Sequence, residues 1–153
     1  LFFVYREVFA VFRALTFGFA LFVVGLFGLA ASASAAVEAR VHVATQRMEL
    51  IVDGATRGTY VVSTGKEGHR TPLGNFQPQR MHKKYYSHKY HNAPMPHSIF
   101  FVGGVAMHAT DDLRHLGKPA SHGCVRLDPA VAAVVFDLVQ SHGMQNSRIV
   151  VTE

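Results

Sequence analysis

Residues 1–36 set the limit on what this chain can fold into, because almost nothing in them is polar enough to face water. Arg6, Glu7 and Arg13 are their only charges, and Ala14 to Ala31 runs for 18 residues without one. Ala31-Ser32-Ala33-Ser34-Ala35-Ala36 follows and offers an A-x-A cleavage site at Ala31/Ala33 or Ala33/Ala35. That small-residue exit is what a signal peptidase requires, so residues 1–36 read as a signal peptide. The alternative is an uncleaved anchor over residues 14–31, since 18 uncharged residues nearly span a bilayer. Either way the rest of the chain is expected outside the cytoplasm, in the periplasm or cell envelope.

Residues 37–153 are then one domain of 117 residues, enough chain for a modest core. Removing Arg6, Arg13 and Glu7 leaves 13 basic and 9 acidic residues, a net +4 with histidine neutral. A mildly basic exported domain suits an anionic partner such as a cell-wall polymer; export argues against nucleic acid. A membrane partner is expected only if residues 14–31 stay as an anchor. Cys124 is the single cysteine. An oxidising compartment punishes a free thiol, and a lone one cannot form an internal disulfide. It is either an inert buried residue or kept for its reactivity.

Short strands dominate. Val41-His42-Val43 and Met48-Glu49-Leu50-Ile51-Val52 alternate ahead of the Asp53-Gly54 turn signal, and Gly58 to Thr64 is β-branched. Ser98–Val102 and Val105–His108 flank Gly103-Gly104, and Ile149-Val150-Val151 closes the chain. Gln77 to Pro96 is polar, aromatic and histidine-rich without a period, so it reads as a long loop or an irregular pair of strands. One principal helix is expected at about 128–141. Asp128 can cap it, Pro129 suits its first turn, and Gly143 can stop it. Val131, Val134, Val135, Leu138 and Val139 would form its apolar face. The fold class is mainly β, a sandwich or barrel-like domain with that helix after Cys124.

The chemistry gathers in Ser121-His122-Gly123-Cys124-Val125-Arg126-Leu127. A cysteine attacks as thiolate, so either its pKa must be lowered or a base must stand beside it. Gly123 permits close substrate approach, and the Gly123 and Cys124 N–H groups could stabilise an oxyanion. His122 is adjacent, but an adjacent residue often points the other way. His108, at the end of a strand, is the better base. Zinc ligation by His108, His115, His122 and Cys124 lacks the compact paired spacing of a zinc site, so no metal is expected. The stretch Met81–His91 is either a substrate-gripping lid or a solvated basic loop. Asp111 and Asp112 read as surface charges, one of which could meet an acceptor amine.

His108, twelve intervening residues and Ser121-His122-Gly123-Cys124-Val125-Arg126 together resemble the catalytic signature of the L,D-transpeptidase (YkuD-type) domain. Val62-Ser63-Thr64-Gly65-Lys66 followed by Thr71-Pro72-Leu73-Gly74-Asn75-Phe76 is similar to that family's strand and T-P-x-G turn. The resemblance covers most of residues 40–152. It implies Cys124 as acylated nucleophile, His108 as general base and acid, and the Ala109 carbonyl as the group orienting His108. Gly123 would supply an oxyanion N–H, and His122 would line the site. Arg126 would receive a substrate carboxylate, with Ser121 supporting the loop.

The implied substrate is a peptidoglycan tetrapeptide stem. Cys124 would attack the L,D bond before the terminal D-alanine, and an amine would resolve the thioester. That amine would come from a neighbouring diaminopimelate or from a lysine of an envelope protein. Two alternatives stand beside transpeptidation. One is an L,D-carboxypeptidase using the same acyl-enzyme; the other is a non-catalytic wall-binding module.

Overall fold

The computed structural model describes residues 35–153, so the expected signal peptide lies outside the described residues except for Ala35 and Ala36. β1 (Val37–His42), β2 (Arg47–Val52) and β3 (Ala55–Val61) form an antiparallel run. Period-two alternation builds it. Val37, Ala39 and Val41 lie opposite Val52, Leu50 and Met48 on the buried face. On the other face Arg40 pairs with Glu38 and Glu49, and Arg148 also reaches Glu38.

The chain continues through β4 (Gly74–Phe76), β5 (Arg80–His82), β6 (Tyr86–Ser87), β7 (Ala93–Pro94), β8 (Ser98–Val102) and β9 (Val105–Ala109). β10 (Val125–Leu127), α1 (Pro129–His142) and β11 (Ser147–Thr152) complete it. One sheet has the order β3-β2-β1-β11-β4, with β11 parallel to β1. The second has the order β10-β9-β8-β5, and β6 and β7 pair as a small ribbon. Among the described residues neither sheet closes on itself, so the architecture is a sandwich and the barrel-like form does not arise. The stretch 77–96 resolves into β5, β6 and β7 with a short 3-10 turn at His88–Tyr90.

A single core joins the layers. Ile99 and Phe101 of β8, Met107 of β9 and Leu127 of β10 meet the β1–β2 row and the inner face of α1. β8 is buried on both faces, because Phe100 turns the other way to join Met95 and Ala106 in a smaller cluster. That second cluster forms the floor beneath Cys124, which packs on it with Tyr85.

α1 begins and ends where its sequence signals predict. The Asp128 carboxylate accepts from the Ala130 N–H at 2.9 Å, and the Gly143 N–H returns to the Val139 carbonyl with φ at 89°. Its buried stripe differs from the expected one. Ala132, Val135, Phe136 and Val139 are buried, whereas Val134 is 50% exposed. Spacing decides this: 132, 135, 136 and 139 lie on one line of a 3.6-residue helix, and 134 falls outside it. Nothing in the valine count showed which of two adjacent stripes would face the sheet.

Candidate active site

Strand β3 ends earlier than its composition predicts, and the residues after it act as a template. Val62 to Lys66 leaves the first sheet and runs beside the loop that carries Cys124. Ser63 and Arg126 exchange backbone hydrogen bonds in both directions, at 3.0 and 2.8 Å. The Thr64 carbonyl accepts from the Ala120 and Ser121 N–H groups, each at 2.9 Å, and the Lys66 N–H returns to the Ser121 carbonyl at 3.0 Å. Gly65 is required at this crossing. A Cβ there would stand 1.9 Å from the His69 carbonyl oxygen and 2.7 Å from the Thr71 nitrogen.

Within the loop Ser121 ties the turn to itself. Its hydroxyl donates to the Cys124 carbonyl at 2.6 Å and accepts from the Gly123 N–H at 3.0 Å. Gly123 has φ of 115°, a backbone region that residues with a Cβ rarely adopt. The Gly123 N–H is therefore engaged by Ser121 and not directed at open space.

β9 and β10 run parallel, with Arg126 opposite His108 and Val125 opposite Met107. Alternation then sorts the side chains. Val125 and Met107 enter the core. Cys124, Arg126 and His108 turn to the other face and line one cavity of about 300 Å³. His108 is buried, and its Nδ1 lies 2.7 Å from the Ala109 carbonyl oxygen. A carbonyl only accepts, so this contact places the proton on Nδ1 and leaves Nε2 as the basic nitrogen.

Burial sets both protonation states. It pulls the His108 imidazolium down to about 4; the Ala109 hydrogen bond opposes the fall and the Arg126 charge adds to it. Burial also pushes the Cys124 thiol up, against a backbone hydrogen bond at Ala106 and the Arg126 charge. A neutral thiol and a neutral imidazole therefore occupy the cavity at neutral pH. A lowered thiol pKa is therefore not available to Cys124, and the buried His108 shares its cavity.

His122 projects to the exposed side of Cys124. Its ring packs at a tilt against His69, with centroids 4.6 Å apart, and against Tyr90 at 5.1 Å. Desolvation within this cleft lowers its pKa first, with Lys66, His69, Arg126 and Lys89 adding to the effect. A second cavity, of about 270 Å³, opens on that side of Cys124 and is lined by Arg80, Tyr85, Lys89 and Tyr90. The Arg80 guanidinium carbon stands over the Phe100 ring, 3.8 Å from its centroid. The histidine-rich stretch 81–91 thus divides: Tyr85, Ser87 and Tyr90 line cavities, while Lys83 and Lys84 are exposed to solvent.

The sequence profile of the L,D-transpeptidase catalytic domain (YkuD) matches residues 37–151. The chain belongs to this family. No curated protein matches it. Solved L,D-transpeptidases share the fold of this family member. One from Mycobacterium smegmatis is 22% identical with a TM-score of 0.70, covering 78% of this chain and 59% of that one. One from Stackebrandtia nassauensis is 24% identical with a TM-score of 0.67, covering 77% and 56%. L,D-transpeptidase 3 from Mycobacterium tuberculosis, in complex with a faropenem-derived adduct, is 16% identical with a TM-score of 0.67, covering 77% and 60%. The chain therefore spans less than two thirds of the length of these structures.

In this L,D-transpeptidase-family domain Cys124, His108, Ser121, His122 and Arg126 meet at one cavity, with Ala109 and Gly123 behind them. Three contributors lay outside the motif and were missed. Gln46 sits in the β1–β2 turn and holds Thr64, His69 packs against His122, and Arg80 walls the second cavity. Gln46 carried no readable signal, because a polar residue between two alternating strands reads only as a turn.

Proposed function

We propose that this chain is a cysteine acyltransferase of the cell wall, an L,D-transpeptidase acting on peptidoglycan tetrapeptide stems outside the cytoplasm. The observation that carries the reading is the shared cavity of Cys124 and His108, with the imidazole turned by Ala109 so that Nε2 is free. As Cys124 Sγ attacks the carbonyl of the L,D bond, its proton passes to His108 Nε2. The attack needs no resting thiolate, because the base takes the proton while the C–S bond forms.

Negative charge then collects on the substrate oxygen. The Gly123 N–H is held by Ser121, so the Cys124 N–H is the donor left to meet that charge. Collapse of the tetrahedral adduct breaks the C–N bond, and His108 returns its proton to the departing D-alanine nitrogen. An acceptor amine next attacks the thioester carbonyl and passes a proton to His108; the C–S bond breaks, and His108 returns that proton to Cys124 Sγ. Arg126 beside His108 receives a carboxylate, and Ser121 keeps the loop in shape.

Mass spectrometry of the protein with a diaminopimelate tetrapeptide stem tests this, with Cys124→Ala as control. A cross-linked dimer lacking one D-alanine, formed only with the intact cysteine, is the expected product. Tripeptide and free D-alanine alone would make the chain an L,D-carboxypeptidase. Absence of any acyl adduct, including one with a carbapenem or penem, would overturn the reading.

A further inference from the structure

The positive charge of the domain is not spread evenly over it. Residues 68–110 contain no aspartate or glutamate and carry Arg70, Arg80, Lys83, Lys84 and Lys89, a net +5 with histidine neutral. The remainder of residues 37–153 has 8 basic and 9 acidic residues, a net −1. Folding gathers four of the five cations on β5, the turn after it and the 3-10 turn at His88–Tyr90. We propose that this face is a polyanion-docking surface, which holds a peptidoglycan strand by the free carboxylates of stems flanking the one at Cys124. The choice of polymer rests on the acyl-transfer reading above, which puts the chain against the wall; the placement of the charge stands without it.

What supports the cations matters as much as their number. On the outer face of the first sheet basic side chains lie against carboxylates, Arg40 against Glu38 and Glu49, and Arg148 against Glu38. No ion pair among the described residues involves Arg80, Lys83, Lys84 or Lys89. Two of them rest on aromatic rings instead. Phe100 carries Arg80, and Lys89 Nζ stands 5.5 Å from the Tyr90 ring centroid. His82 and Tyr85 pack edge-on around the same Phe100 ring and fix the platform under Arg80. A ring restrains a cation without neutralising it, so an anion can still bind. Arg80 and Lys89 are thus exposed, held and uncompensated at the wall of one cavity, which no carboxylate lines.

The spread of the four cations selects the occupant. Lys83 and Lys84 are exposed and line neither cavity at Cys124, so a single stem seated there leaves them unanswered. A strand that repeats its stems repeats its carboxylates, at the terminal D-alanine and on diaminopimelate, and can meet all four. A lipid surface fits poorly. Tyr85 is turned in on Phe100 and Tyr90 on His122, which leaves Tyr86, 58% exposed, as the ring this ribbon presents to solvent. Interfacial binding needs a broader apolar face than one tyrosine.

Co-sedimentation of the Cys124→Ala protein with purified sacculi tests the surface apart from turnover. With about four charges engaged, affinity should fall about 10- to 100-fold between 50 and 200 mM salt. Amidation of the sacculus carboxylates should abolish retention. Lys83→Gln with Lys84→Gln should weaken binding and lower the salt slope by about two. Arg47→Gln with Arg57→Gln removes the same charge from exposed positions on the other sheet and should leave retention nearly as it was. Equal loss in the two double variants would reduce the effect to net charge and overturn the surface. Salt-independent binding, retention by amidated sacculi, or capture by phosphatidylglycerol vesicles in place of sacculi would overturn it too. With the intact cysteine, acyl adducts on isolated stems without salt-dependent retention would sink the surface and leave transpeptidation standing. Retention without any acyl adduct would sink transpeptidation and leave the surface.

Discussion

The side chain of Gln46 grips Thr64 at two points, its Oε1 accepting from the Thr64 N–H at 2.8 Å and its Nε2 donating to Thr64 Oγ1 at 2.6 Å. The Gln46 carbonyl also accepts from the Val62 N–H at 2.9 Å. Thr64 in turn holds Ala120 and Ser121. A turn residue far from the cysteine thereby fixes the strip against which the cysteine loop is laid.

Gln46→Ala should leave a buried N–H and hydroxyl unpaired and cost about 2 kcal/mol or more of stability. Chemical denaturation reads this directly. A loss below about 0.5 kcal/mol, the scatter of an ordinary surface change, would show that the clamp contributes nothing.

Ser121→Ala removes both hydrogen bonds that shape the turn before Cys124. Acylation should slow by about tenfold or more, because a misplaced nucleophile forfeits its attack geometry. Ser121→Thr, which keeps the hydroxyl, should recover most of the rate. Equal rates in the wild type and the alanine variant would remove Ser121 from the site's machinery.

His108 should matter more than His122. Loss of a general base costs about 10²- to 10⁴-fold, so His108→Ala should nearly abolish acylation and Cys124→Ala should end it. His122 projects to the exposed side, packed against His69 and Tyr90, so His122→Ala should cost less. Steady-state rates in the reverse order would mean that the base has been misassigned.

The buried, neutral His108 also links stability to acid. Its folded value of about 4 lies below the ordinary 6.5, so between those values the unfolded chain binds more protons than the folded one. Stability is then full above pH 6.5 and falls toward pH 4, by about 3 kcal/mol at one pKa unit per 1.36 kcal/mol. Denaturation midpoints at pH 7 and pH 4 should show the loss, and His108→Gln should flatten it. An unchanged slope in that variant would place the acid sensitivity elsewhere.

Cys124 gives the complementary pH test. Burial raises its thiol, so alkylation by a small reagent should accelerate steadily from neutral into alkaline pH. A rate already level at neutral pH would reveal a preformed thiolate and overturn the neutral-pair description.

The Ser121–Arg126 motif and the ends of α1 were legible in the sequence because each depends on local chemistry, and His108 was legible through its spacing to that motif. A capping carboxylate, a glycine after a helix and a cysteine between glycine and a short strand are features of a few neighbouring residues. The alternation in Val41–Val43 and in Met48–Val52 likewise announced strands without any tertiary knowledge. The stripe that α1 buries, the early end of β3 and the grip of Gln46 on Thr64 were decided only by the folded chain. Each depends on which distant segment arrives alongside, and that follows from filling one core with two sheets and a helix. The same holds for the two cavities at Cys124, since β5, the end of β9 and the cysteine loop come together only in the folded chain.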